Sequence, residues 1–245
     1  MYLVLSSPTD SPALWAWQGL LARGLPVELV TADALVAAPS WEHRVGNGGR
    51  TALRITLPDG RFVDASAVRG ALNRLTAVPA GFLDASADRS YANQELYAFF
   101  LSWLRALPGP LLNPPSPQGL CGRWRPSSEW VWLAARAGLS TAPFRQSSED
   151  APPSLYGEKP LLPPGASGRT VLVTAGRTSG APAPQDVLAG CLRLAAEART
   201  PLLGIDFAEG PAGSWTFAGA TPWPDLRLGG EILLDQLAAA LREPS

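Results

Sequence analysis

Residues 202–226 read LLGIDFAEGPAGSWTFAGATPWPDL: an apolar strand carrying Asp206, a loop, and a second strand that runs into a Pro-containing turn. That is the layout of a metal-nucleotide site. Such a site needs two or three oxygen ligands converging on Mg²⁺, a hard cation that takes near-octahedral oxygen donors. The return strand offers Phe217, Ala218, Gly219, Ala220 and Thr221, and no carboxylate. The frame of a site is present, with most of its chemistry missing.

Upstream, the pattern alternates strand and helix. An apolar run at 2–5 is followed by the turn and cap signals Ser7, Pro8 and Asp10. Leu14, Trp17, Leu20 and Leu21 recur at helical spacing up to Gly24, and 27–30 reads as a second strand. Leu53, Ile55 and Leu57 alternate into Asp59-Gly60, and Phe62 and Val63 return, which predicts a hairpin. GNGG at 46–49 lacks the strand-to-helix setting of a phosphate loop and reads as a turn. The spacing predicts a helix over 90–107, with Leu96, Phe99, Phe100, Trp103, Leu104 and Leu107 as one stripe. A prolyl stretch around a short LLN strand follows. A second helix begins after Ser127 and Ser128, turns Trp130, Leu133, Ala134 and Ala137 inward, and ends at Gly138. The aromatics of both helices serve either packing or ligand stacking. Residues 146–168 have no sustained period and read as a Pro-rich connector. Strands at 169–174, 202–207 and 215–218, a helix over 184–197 and a closing helix over 230–241 complete an α/β chain. The closing helix places Ile232, Leu233, Gln236, Leu237 and Ala240 on or beside one face.

At 245 residues, 46% apolar and 17% charged, the chain can bury a sizeable core. A net charge of −1 offers no electrostatic reason to expect nucleic acid or an acidic membrane surface as partner. Lys159 is the only lysine, so phosphate-gripping lysines are scarce. Cys121 and Cys191 form neither a disulfide framework nor a CxxC pair, and Cys191 falls on a helix's apolar face. The start MYLVLSSPTD lacks a secretory signal and no apolar run reaches membrane length, so a cytoplasmic location is expected.

Four stretches together resemble the ATP-grasp superfamily, nearest to its ribosomal-protein-modifying and graspetide-type amide ligases. They are RGALNRL at 69–75, DRSYANQELYAFFLSWLRALPGPLLNPP at 88–115, SSEWVWLAARAGLSTAPF at 127–144, and LLGIDF…WTFAGATPWPDL…GG at 202–230. The resemblance implies a pre-ATP-grasp-like α/β domain over 1–82 and a helical connecting region over 83–145. It implies that the connector over 146–168 replaces the family's lid, ahead of a truncated C-terminal core over 169–245. It also implies that Asp206 stands at one Mg²⁺ ligand of MgATP, Gly219 where the family has Glu, and Thr221 where it has Asn. Two of three ligands are absent, and Lys159 alone remains in the lid interval. The resemblance thus points to a degenerate, non-catalytic member. Its partner would be a peptide or protein, including an active ATP-grasp paralogue, and no cofactor is expected. The alternatives are an active carboxylate-amine ligase that uses MgATP under a minimal lid, and an unrelated α/β transferase.

Four further residues are candidate ligand or partner contacts. Asn73 and Arg74 end a predicted strand at the edge where α/β sheets bind ligands. Arg123 and Arg125 flank Trp124 ahead of a helix, which makes either an anion or peptide-carboxylate site or ordinary surface packing. His43, the only histidine, is expected in or beside a loop. Asp84 and Asp88 read as caps or turn formers.

Overall fold

A computed structural model describes residues 1–47, 51–79, 89–144, 168–210 and 213–243. They fall into two units, Met1–Arg123 with Leu237–Ser245, and Trp124–Gln236. The architecture is α/β, with one parallel and two antiparallel sheets.

In the first unit, β1 (Tyr2–Ser6) is buried at all five positions, as a strand covered on both faces must be. Asp10 then caps α1 (Ser11–Ala22), its carboxylate accepting a hydrogen bond from the Ala13 amide at 3.1 Å, with a proline in the first turn. Gly24, at φ +73°, lets the chain leave the helix. The buried face is Ala13, Ala16 and Leu20, whereas Leu21 is exposed. The stripe expected through Leu21 is therefore rotated: small alanines face inward, and larger neighbours flank them.

β2 (Val27–Thr31) pairs parallel with β1, followed by a five-residue helix α2 (Ala32–Val36). An antiparallel sheet comes next: β3 (Ser40–Val45), β4 (Thr51–Thr56) and β5 (Phe62–Asp64), in the order β3-β4-β5. The predicted hairpin is β4 and β5. β3 is a strand that sequence reasoning missed, and it places His43 opposite Leu53 in the ladder rather than in a loop. β6 (Gly70–Asn73) pairs with the other edge of β1, and β7 (Leu111–Leu112) continues the sheet as β2-β1-β6-β7. Between them, α3 (Arg89–Ala106) buries Phe100, Trp103 and Leu104 against Leu53, Ile55 and Leu57. Trp41 wedges into this core, its ring 4.3 Å edge-on from Phe99 and its Nε1–H donating to Leu35 O at 2.9 Å.

The second unit opens with α4 (Ser127–Arg136). Four antiparallel strands follow: β8 (Gly168–Thr174), β9 (Arg177–Gly180), β10 (Leu202–Glu209) and β11 (Trp215–Thr221), in the order β11-β10-β8-β9. α5 (Gln185–Ala198) connects β9 to β10. Helices α4 and α5 cover one face, where Trp130, Ala134 and Leu194 meet Val171, Ile205 and Phe207. α6 (Gly230–Arg242) closes the chain with Leu233, Leu234, Leu237 and Leu241 buried. Ile232 is exposed, against its expected place beside the apolar face, because the buried stripe runs through 233, 234, 237 and 241. The connector expected over 146–168 lies outside the described residues, apart from Gly168 at the start of β8. Asp84, Asp88 and Lys159 lie outside them too.

In the first unit Asp10 and Arg74 form a buried ion pair. Arg74 Nε and Nη2 donate to the two carboxylate oxygens at 2.7 and 3.1 Å, with both side chains out of solvent. Breaking a buried pair on one side leaves an uncompensated charge and costs about 3–5 kcal/mol. Asp10→Asn, which keeps an acceptor for the α1 cap, should therefore lower stability by about that much in urea denaturation. The Asp10→Ala/Arg74→Ala double variant should lose clearly less than the two single losses added together.

Candidate functional site

The strand β10 positions Asp206. Antiparallel pairing sets Asp206 opposite Thr170 of β8 on one side and Gly219 of β11 on the other, while Gly204 faces Leu172 and Thr221. Ile205 and Phe207 point to the helix-covered core, so Gly204 and Asp206 project from the opposite face. Between Asp206 and Phe207 the register of β11 slips by one residue, leaving Ala218 unpaired. This β-bulge sends Phe217 into the helix-side core while turning Gly219 and Thr221 to the Asp206 face. Strict alternation would have put all three on one side.

The three residues named from the sequence are thus brought onto one patch of sheet, each half-buried. Their chemistry is sparse. Asp206 Oδ1 accepts a 2.6 Å hydrogen bond from the Thr170 hydroxyl, a partner 36 residues away that only the β8–β10 pairing reveals. Gly219 presents bare backbone, with nothing within 4 Å of where a Cβ would stand. The Thr221 hydroxyl accepts from the Trp223 amide at 3.1 Å and so braces the turn that follows. Asp225 accepts from the Arg227 amide at 3.0 Å, capping a 3-10 turn (Leu226–Gly229), and it pairs with the Arg227 guanidinium. Among the described residues no group of three or more His, Cys, Asp or Glu side chains is placed to hold a metal ion. One carboxylate, already hydrogen-bonded to a hydroxyl, does not fit the oxygen shell that Mg²⁺ requires.

On the other, helix-covered face of the sheet, Arg169 pairs with Glu209 through Nε and Nη2 and lies 5.1 Å over the Trp215 ring, which itself meets Phe207 edge-on at 5.3 Å. This row stiffens the open end of the sheet. Nothing local in the sequence announces it, since its members come from three strands.

The other candidates lie elsewhere. Asn73 and Arg74 end β6 at the carboxyl edge of the parallel sheet, and both are buried. Asn73 Nδ2 donates to Asn113 O at 2.8 Å and to Leu120 O at 2.7 Å, while its Oδ1 accepts from the Leu75 amide. Arg74 meets Asp10 as described. Arg123 is exposed. Arg125 follows Trp124, which stands 68% exposed. Its guanidinium stacks 5.1 Å from Trp130, Nε donates to Glu129 at 3.0 Å, and Nη2 donates to Ala198 O at 2.7 Å. The start of α4 at Ser127 brings Glu129 and Trp130 within reach, so Arg125 ties α4 to the end of α5. His43 Nδ1 lies 3.3 Å from the Ser102 hydroxyl.

Both cysteines are buried free thiols. Burial pushes Cys121 up to about 11 and Cys191 up to about 12, against an ordinary 9.0. Neither is a nucleophile at neutral pH.

No family model matches the chain, and no curated protein does. Solved structures do. The macrocyclase MdnB of Microcystis aeruginosa MRC is 14% identical at a TM-score of 0.67, with 98% of each chain covered. A Chryseobacterium gregarium RiPP-associated ATP-grasp ligase, in complex with ADP and a leader and core peptide, reaches 0.72 at 12% identity. It covers 98% of this chain and 96% of its own. D-alanine-D-alanine ligase from Aeromonas hydrophila matches at 0.53 and 16% identity, with 99% and 100% covered.

Two glycines of this patch should respond oppositely to alanine. At Gly204 a Cβ would stand 2.6 Å from Pro224 Cβ, so Gly204→Ala should cost about 1–3 kcal/mol in chemical denaturation. Gly219→Ala meets open space and should stay within about 0.5 kcal/mol of the parent. The thiols give a pH signature. Their folded pKa values lie above the unfolded one, so the contribution is complete below pH 9.0 and is lost as pH rises towards 11–12. Urea midpoints should therefore fall between pH 8 and pH 10, less steeply in Cys191→Ala.

Proposed function

Because the chain carries an ATP-grasp-like fold over nearly its whole length, we propose that it is a degenerate member of that class which binds a peptide or protein and does not catalyse ligation. One observation carries the reading. The bulge in β11 turns two residues to the face that carries Asp206, and those residues are Gly219 and Thr221. A triphosphate complexed with Mg²⁺ would find one carboxylate there in place of a ligand set. Peptide recognition is supported by the neighbours, which include the macrocyclase MdnC bound with the precursor peptide MdnA and the ATP-grasp ligase PsnB complexed with a minimal precursor. An active paralogue is a second partner consistent with this role. Among the described residues no helix is long and apolar enough to cross a membrane.

One feature favours a second reading, an ATP-dependent carboxylate-amine ligase. Asp206 is kept, it is held by Thr170, and PsnB is also seen with Mg and ADP. ATP-dependent phosphate release in the presence of an acceptor peptide, abolished in Asp206→Ala, would establish that reading.

MgATP decides between the two. A Kd near 1 μM would add about 4 kcal/mol at 1 mM ligand and raise the melting midpoint by roughly 10 °C. The expected shift is under about 1 °C, with no saturable heat in isothermal titration. A rise close to 10 °C that needs Mg²⁺ would overturn the degenerate reading. Gly219→Glu with Thr221→Asn restores oxygen donors where space exists, and should gain measurable Mg²⁺ affinity that the parent lacks.

A further inference from the structure

The second unit has a hollow of about 290 Å³ on its helix-covered side, away from Asp206. Val173, Leu192 and Ala195 form its apolar walls, and Arg199 and Thr200 stand among the residues that line it. The hollow is framed by main chain. Ala175 (φ +45°) and Gly176 (φ +79°) make the tight turn between β8 and β9, and the Ala175 amide donates to Pro201 O at 2.8 Å. The end of α5 is closed by Arg199 N–H to Ala196 O and Thr200 N–H to Ala195 O, each 3.0 Å.

Arg199 is the unusual element. It sits at φ +50°, a left-handed helix-end position that glycine or asparagine occupies at less cost. Its guanidinium also has no hydrogen-bond or ion-pair partner among the described residues. Every other described arginine of this unit is engaged: Arg125 by Glu129, Arg136 by Glu197, Arg169 by Glu209, Arg193 by Ala137 O, Arg227 by Asp225, and Arg177 by a contact of its own. Among the described residues Arg199 has no such partner. A strained backbone holding an unpaired cation at the rim of an apolar hollow is a place where structure gives way to binding. The carbonyl end of α5 would repel an anion. However, its last carbonyls are already taken, Ala198 O by Arg125 and Thr200.

We propose that this hollow binds a small free acid, a compact branched or aromatic hydrocarbon group a few bonds from a carboxylate. The hydrocarbon fills the hollow and the carboxylate meets the Arg199 fork. Size sets the class: a dry cavity of about 150 Å³ admits benzene, so this hollow takes a ring or a branched chain with its carboxyl group. It lies at the small end of ligand pockets, too small to enclose a peptide segment. The inference uses neither Asp206 nor the peptide-binding reading.

The test is a methyl- and amide-observed NMR titration of the full chain with phenylacetate and 4-methylpentanoate, each against its amide. The acids should bind at about 1 mM or tighter, moving Val173, Leu192 and Ala195, and the amides about three- to fivefold more weakly. Arg199→Gly should erase that acid preference while raising the melting midpoint, a combination that a purely structural arginine would not produce. Ala196→Trp, at an exposed lining position, should block acids and amides alike with the fold intact by circular dichroism. Equal binding of acid and amide, or no saturable shift by about 10 mM, overturns the proposal. So does a peptide ending in a free leucine carboxylate that binds more than about tenfold tighter than 4-methylpentanoate, since the occupant would then be a chain terminus.

Discussion

Everything distinctive about the second unit depends on how β10 is paired. It is hydrogen-bonded on both sides, and from Gly204 to Ala208 each residue has two fixed partners. Its alternation sends Ile205 and Phe207 under the helices and leaves Gly204 and Asp206 on the other face. A slip of one residue would exchange the two faces, burying a carboxylate among Val171, Leu194 and Phe217 without a partner. The helix-side core therefore enforces where Asp206 stands. The bulge at Ala218 then decides which residues of β11 join it. That these are a glycine and a threonine is the chemical content of the site.

In the first unit polar groups hold elements together. Asp10 caps α1 and receives Arg74 from the end of β6, while Asn73 satisfies two carbonyls of the chain around β7. Arg125 performs the same task in the second unit, joining α4 to the last residue of α5. A chain with one lysine uses arginine wherever a cation must reach several acceptors at once, and the planar guanidinium suits it to that role. Residues at sheet edges and helix ends thus spend their hydrogen bonds inward. Arg199 is conspicuous because it does not.

Much of the architecture was legible from periodicity. The helix expected over 90–107 is α3, and Trp130, Leu133 and Ala134 are buried in α4 as the spacing named them, with Ala137 buried just past its end, while the buried Val131 was not named. The β4–β5 hairpin follows from Asp59-Gly60. Missed elements share a physical reason. β3 carries Glu42, His43 and Arg44, and β9 reads RTSG, so neither shows an apolar alternation; both are strands because a neighbouring strand supplies their hydrogen bonds. The rotated face of α1 and the exposed Ile232 are errors of the same kind, since spacing identifies a stripe but not which stripe a neighbour covers.

From the sequence alone came the alternating α/β order, the resemblance to an ATP-grasp-like fold, and the poverty of oxygen donors around Asp206, because composition and local spacing carry that information. Only the tertiary structure could show that Gly219 and Thr221 face Asp206 while Phe217 does not, that Thr170 holds the carboxylate, and that Arg74 and Arg125 are struts. Each of these is a relation between residues far apart in the chain, set by strand register, a bulge and helix packing, and local pattern does not encode such relations.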